Sequence, residues 1–266
     1  MTFFPDGKTF VQIGSFSIAW YAVCIIAGAL IAYKIGQYNF KKMGFDKEIL
    51  SDYFYGLMIT GIIGARIWYV IFMWNELYAN DPLEIIMFRH AGLAIQGGIL
   101  AGLIFSWWYF KRHKIEFLIA GDAIMPGVLI AQALGRWGNF FNQEAFGSAV
   151  SLDFLKSLHL PEFIINGMYI NGQYYHPTFL YESIANIIGF FVIYFLIRKI
   201  QTKQGEQFFS YFIWYGFFRF FIEGLRTDSL YFMGLKTAQL VSIVFVLVGL
   251  AGYVYCKRNG KPAIKA

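Results

Sequence analysis

Charge is scarce in this chain. Asp, Glu, Lys and Arg make up 14% of its 266 residues, against about a quarter in soluble globular domains. Hydrophobic residues supply 58% and aromatic residues 21%, and the mean hydropathy is +0.52. That excludes an ordinary soluble domain. Cysteine is nearly absent. Cys24 and Cys256 lie toward opposite ends of the chain, in or beside apolar runs. Neither a disulfide framework nor a clustered-thiolate metal site is built from two such residues, which read as small packing groups. No tandem repeat, low-complexity tract or soluble second domain is visible. The two halves also lack the mutual resemblance that many transporters show. The first apolar run has no basic segment ahead of it and no clear small-residue cleavage site, so it is expected to be retained.

Long apolar runs, in contrast, are abundant. Runs of about 20 apolar residues match the thickness of a bilayer core when wound as helices. Seven are predicted, at 17–36, 52–74, 93–110, 117–134, 178–197, 208–225 and 237–256. The net charge of +6 does not point to nucleic acid, because its placement alternates. Lys41, Lys42 and Lys47 follow the first run, and Lys111, Arg112 and Lys114 follow the third. Arg198, Lys199 and Lys203 follow the fifth, and Lys257, Arg258, Lys261 and Lys265 follow the seventh. The intervening connections are poor in Lys and Arg. Basic loops stay cytoplasmic, which puts the N-terminus outside and the C-terminus in the cytoplasm. The expected fold is an all-α integral membrane protein with seven transmembrane helices, a single domain over 1–266. Residues 148–177, between the fourth and fifth runs, are expected to form a small mixed α/β cap on the outer face. Asn171-Gly172 in "MYINGQYY" reads as a hairpin turn, and "SLDFLKSLHL" as a short helix.

Several charged residues fall inside these runs, where they are costly and usually face protein or a watery cavity. They are Arg66, Asp122, Arg136, Glu182, Arg219, Glu223 and Arg226. Tyr215, Arg219, Glu223 and Arg226 are spaced to share one helical face. An Arg219–Glu223 structural ion pair would explain the sixth run alone. It leaves Arg136 at the same depth, with Asn139 and Gln143 beside it, unexplained. Two polar faces at one depth read as a shared cavity, and guanidinium forks there suit a phosphate. In this reading Gly135, Gly138 and Gly147 let the backbone approach a ligand or bend sharply.

The stretch "GRWGNFFNQEAFG", 135–147, resembles the signature of the bacterial prolipoprotein diacylglyceryl transferase family at every fixed position. "WYAV", "GARIWYV", "HPTFLYES" and "YGFFRFFIEGLRTDSL" resemble further family segments in the same order. The resemblance implies transfer of the diacylglyceryl group of phosphatidylglycerol to the thiol of a lipobox cysteine in a prolipoprotein signal peptide. A thioether forms and glycerol phosphate leaves. No metal or cofactor is implied. The implied place is the bacterial cytoplasmic membrane, with the active site facing the outer leaflet, and a monomer is expected.

Carried onto this sequence, the resemblance gives Arg136, Arg219, Tyr215 and Gln96 as the catalytic candidates. Arg136, Asn139, Tyr21, Gly147, Arg219 and Arg226 are the lipid-binding candidates. Glu144, Glu182 and Glu223 are expected to hold the arginines. Tyr21 reads equally as an interfacial aromatic anchor, and His176 as a rim residue. Gln96, in "IQGGILAG", stands where many family members carry a histidine favoured as general base, and Ala91 changes the neighbouring "HAGL". Glutamine takes no proton at neutral pH. Either the arginines generate the thiolate unaided, or another group such as His90 serves, or the chain is a divergent copy. The first is favoured. The competing classes are a transporter or receptor for an anionic lipid or phosphate compound, and a catalytically silent lipid-binding homologue.

Overall fold

The computed structural model describes residues 2–4, 6–79, 81–87, 92–232 and 234–264. The readings of His90, Ala91 and Lys265 lie outside the described residues. Two compact units form: one from the residues up to Gly36 together with those from Gly121 onward, the other from Gln37–Ala120.

The first unit opens with a three-stranded antiparallel sheet, β1 (Thr2–Phe3), β2 (Thr9–Ile13) and β3 (Phe16–Ala19). The start of the first expected span, 17–19, is therefore strand, and helix α1 (Trp20–Lys42) begins after it. The aromatic and β-branched residues here suit a pleated surface, and the turn closes at Gly14, with φ 59°.

The second unit is built on α2 (Lys47–Phe72) and α3 (Ile95–Arg112). Asp46 caps α2 by accepting from the Glu48 N–H. The two helices close on small residues, Gly64 facing Gly97 and Ala101. Arg66 is buried on α2. Its guanidinium donates to the carbonyls of Glu84, Ile85, Met87 and Gly92, and so ties down the short helical turn Pro82–Ile86.

Back in the first unit, α4 (Phe117–Asn142) leads to β4 (Ala149–Val150), α5 (Leu152–Ser157), α6 (Glu162–Gly167), β5 (Tyr169–Ile170) and β6 (Gln173–Tyr175). The segment expected to be mixed α/β has that content. Its hairpin turns at Asn171 and Gly172, both left-handed as an Asn-Gly turn requires. The short helix read in "SLDFLKSLHL" is α5; α6 was not foreseen. Then α7 (Thr178–Phe191) continues through a π-helical stretch, Val192–Ile197, into α8 (Arg198–Ile200). Helix α9 (Glu206–Leu225), the hairpin β7 (Tyr231–Phe232) and β8 (Leu235–Lys236), and α10 (Thr237–Asn259) complete the chain. Leu129, Ile193 and Tyr211 form a buried apolar cluster joining α4, the π-helical stretch and α9.

Among the described residues, five helices are long and apolar enough to cross a membrane: Trp20–Lys42, Lys47–Phe72, Phe117–Asn142, Thr178–Ile200 and Thr237–Asn259. The third and sixth expected spans are helical, as α3 and α9, but fall outside that set. Charge and aromatic content account for this: α3 ends in Lys111 and Arg112, while α9 carries Glu206, Arg219 and Glu223 among its rings.

The N-terminus of α9 has no side chain of its own to cap it, because the capping position is Gly205. Asp122 of α4 caps it from outside. Its carboxylate accepts from the backbone N–H groups of Gly205 at 2.7 Å and Phe208 at 2.9 Å, and from Gln201 at 2.7 Å. Arg66 and Asp122, two of the charged residues inside apolar runs, are thus bonded to the scaffold.

Candidate functional site

Helix α4 runs to Asn142, eight residues past its expected end at 134, so Arg136 and Asn139 are helical. The interleaving of polar and aromatic residues follows from its faces. Trp137 and Phe140 pack on Phe179, with ring centroids 5.2 Å and 4.6 Å away, and Phe141 stacks on Trp20. The remaining face presents Arg136 and Asn139. Gly135 and Gly138 sit inside the helix. A β-carbon at Gly138 would lie 2.6 Å from the Tyr21 ring, so this glycine admits α1 and not a ligand.

Glu182, on α7, is the centre of the cluster. It is 3% exposed, and its two carboxylate oxygens engage two arginines from different helices. Arg136 Nη2 lies 2.9 Å from Oε1, and Arg219 Nη1 lies 2.8 Å from Oε2. Arg219 Nη2 is 2.6 Å from Glu223. The Arg219–Glu223 pair and the Arg136 site are therefore one arrangement. Arg136 Nη1 donates to Asn139 Oδ1 at 3.1 Å, and Asn139 Nδ2 donates to Glu144 Oε1 at 2.8 Å. Tyr215 lies in side-chain contact with Arg136. Each guanidinium carries five N–H donors, more than these bonds consume.

Two placements differ from expectation. Among the described residues Glu144 pairs with no arginine directly; it reaches Arg136 through Asn139. Arg226 caps the C-terminus of α9 and turns away to grip Asp228, with Nε and Nη2 at 3.0 Å and 2.8 Å, while Glu223 is 3.9 Å off. That fork holds the Asp228 carboxyl below the ordinary carboxylate range. Sequence spacing put Arg226 on the Arg219 face, but the helix ends before it.

Gly147 is packed shut. A β-carbon there would meet the His176 side chain at 2.6 Å, and its N–H donates to the His176 carbonyl. His176 is half-buried. Its ring faces the Tyr181 hydroxyl at 3.2 Å, and partial burial holds its pKa below the ordinary imidazole value. The sharp turn after α4 is made instead by Gln143 (φ 54°) and Ala145 (φ 59°). Left-handed backbone costs a non-glycine residue roughly 1–2 kcal/mol, so this turn is held by its surroundings. Thr178, which the sequence reading passed over, supplies one hold: its hydroxyl donates to the Ala145 carbonyl at 2.6 Å. Nothing in the sequence marks that bond, since both partners are ordinary residues. Gln96 belongs to the other unit, exposed in the first turn of α3.

The family model for prolipoprotein diacylglyceryl transferase matches residues 8–255. The chain is 45% identical over 257 residues to the phosphatidylglycerol–prolipoprotein diacylglyceryl transferase of Halalkalibacterium halodurans, covering 96% of this chain and 88% of that one. Against the proteins of the same name it is 47% identical over 257 residues in Staphylococcus haemolyticus (96% and 90% covered) and 46% over 252 residues in Staphylococcus carnosus (94% and 90% covered). A match of this extent, over nearly the whole chain and including every segment of the arginine cluster, places the chain in the prolipoprotein diacylglyceryl transferase family.

Proposed function

We propose that this chain transfers the diacylglyceryl group of phosphatidylglycerol to the lipobox cysteine thiol of prolipoproteins, forming a thioether and releasing glycerol phosphate. The observation that carries the reading at the site is Glu182 holding Arg136 and Arg219 side by side from two helices. Held this way, two forks converge on an anionic head group without collapsing onto each other. The substrate sulfur attacks the glyceryl carbon, the carbon–oxygen bond to phosphate breaks, and the bonding pair leaves with the phosphate. Arg136 and Arg219 bind that phosphate and stabilise its growing charge. They also favour thiolate over thiol. The departing phosphate, with a second pKa of about 6 by analogy with phosphorylated side chains, takes the thiol proton, so Gln96 need not act as a base. Asn139, fixed by Glu144, orients the head group. Tyr215 donates beside Arg136, and Tyr21 packs over the same stretch of α4.

The chain acts as one domain of seven spans in the bacterial cytoplasmic membrane, N-terminus outside, with 148–177 as an outer cap. The site opens to the outer leaflet, and the enzyme works as a monomer. The alternation of Lys and Arg between connections supports this arrangement. The bonding of Arg66 and Asp122 to backbone groups supports a scaffold role for these two charges.

The test incubates purified protein with phosphatidylglycerol vesicles and a lipobox peptide, and reads the peptide mass. Wild type should add one diacylglyceryl group, and Arg136→Ala should add none or nearly none while remaining in the membrane fraction. No product from wild type would reject the reading. Full activity of Arg136→Ala would reject the anion site. Arg219→Lys should lose most activity, because lysine keeps the charge but not the planar fork.

A further inference from the structure

We infer that Thr178 is a positioning residue for Arg136, acting through the turn at Gln143–Ala145; the inference rests on the reading of Arg136 given above. Arg136 is held from two directions. On one side Glu182 takes its Nη2. On the other, Asn139 takes its Nη1, and Asn139 is itself fixed by Glu144. Glu144 sits between the two left-handed residues Gln143 and Ala145. Neither is glycine, so the turn keeps its shape only while its flanks are pinned.

The pins are few. The Glu144 N–H donates to the Asn139 carbonyl, which joins the turn to the end of α4. Beyond Ala145, the Gly147 N–H reaches the His176 carbonyl and the Ser148 N–H reaches the Leu225 carbonyl. Thr178 supplies the side-chain pin at Ala145 itself, 2.6 Å long, from a residue only 2% exposed. Thr178 and Glu182 are one turn apart on α7 and so face the same way. The first two turns of α7 therefore hold both supports of Arg136: the guanidinium through Glu182, and the Glu144 turn through Thr178. Thr178, Asn139 and Glu144 also border one small cavity behind the turn. If the hydroxyl is lost, the Ala145 carbonyl has no donor from α7. The turn then relaxes toward ordinary backbone, and Glu144 and Asn139 shift with it. Misplacing a binding group by about 1 Å can cost on the order of a hundredfold in rate.

Thr178→Val keeps the shape and removes the hydroxyl; Thr178→Ser keeps the hydroxyl. Leu155→Ala, in the apolar cluster that Phe179 joins, destabilises the same region without touching the turn. Transfer rates at varied phosphatidylglycerol and unfolding temperatures are measured for all three beside wild type. Thr178→Val should lose about tenfold or more in kcat/KM, at a temperature where it is folded. Thr178→Ser should stay within about twofold of wild type, by the same reasoning. Leu155→Ala should lower the unfolding temperature with little change in kcat/KM when folded. Near-wild-type rates for Thr178→Val would overturn the inference. So would an equal loss in Thr178→Ser, or the same rate loss in Leu155→Ala. An inactive wild type would instead reject the functional reading itself, and this inference with it.

Discussion

Glu182 carries more of the site than either arginine, because it is the only acidic residue that both Arg136 and Arg219 contact among the described residues. Glu182→Gln keeps the size and removes one negative charge. Two half-buried guanidiniums would then face each other with less compensation, and loss of the charge of their buried partner costs up to roughly 3–5 kcal/mol. The variant should unfold at lower temperature in detergent and transfer poorly even when folded. Wild-type stability with wild-type rate would show that Glu223 and Asn139 suffice. Gln96 makes the opposite kind of prediction. If the arginines generate the thiolate, Gln96→His should change the rate little from about pH 5.5 to 9, a range spanning the imidazole and thiol pKa values. A large gain with a new acidic limb near pH 6.5, roughly the free imidazole value, would mean that a base was missing. At this scale a charge in an apolar run, such as Arg136, Glu182 or Arg219, was the legible mark, since charge there needs a partner, but Arg226 found its partner in Asp228 beyond the helix end. Bonds between ordinary residues, such as Thr178 to Ala145, left no mark. Nor did the left-handed backbone at Gln143 and Ala145, because the usual sign of such a turn is glycine.

Helix α9 shows how an element is placed by a group outside it. Its capping position is Gly205, with φ 90°, so it starts with no side-chain cap of its own. Asp122 of α4 meets that need. At the other end Lys236 donates to the carbonyls of Glu223, Gly224 and Arg226, where a cation favours the negative end of the helix dipole. The helix carrying Arg219 is thus fixed at both ends, by residues on α4 and β8. Asp122→Ala should cost about 2 kcal/mol or more, since an N-cap and a buried hydrogen-bonded network go together. Asp122→Asn keeps one acceptor oxygen and should cost less. Unfolding in detergent ranks the two, and equal stability of wild type and Asp122→Ala would refute the capping role. The lone acidic residue in an apolar run was visible from the sequence, but its partner, 83 positions away in Gly205, was not. Element boundaries failed for a related reason. The run of apolar residues ends at 134, yet α4 continues to Asn142 because Trp137, Phe140 and Phe141 find aromatic partners on other elements.

At the scale of the whole molecule, the open quantity is how many helices cross. Among the described residues, five meet the length and hydropathy of a span, while α3 and α9 do not. Both counts are odd, so both put the ends on opposite sides, and the termini alone decide nothing. The connections decide. With seven spans and the N-terminus outside, His113 after α3 is cytoplasmic, and Glu162 after α4 is outside. With five, skipping α3 and α9, the two exchange sides. The basic residues favour seven, because Lys111, Arg112 and Lys114 would otherwise lie outside, as would Lys199 and Lys203. The charges that lower the apolarity of α9 are also the ones paired within the protein, Arg219 with Glu182 and Glu223, which makes them tolerable in a crossing helix. Single cysteines are placed at the exposed positions Gly7, His113, Glu162 and Asn259 in a chain with Cys24 and Cys256 replaced by Ala. A membrane-impermeant maleimide is applied to intact cells stripped of their wall. Positions 7 and 162 should label at once, and positions 113 and 259 only after permeabilisation. Labelling of 113 in intact cells with protection of 162 would establish five crossings. It would also move the Glu144 turn and the end of α4 to the cytoplasmic side, away from the outer leaflet. Arg136 would then face the wrong pool of substrate for a secreted prolipoprotein, so this one labelling pattern tests the topology and the functional reading together.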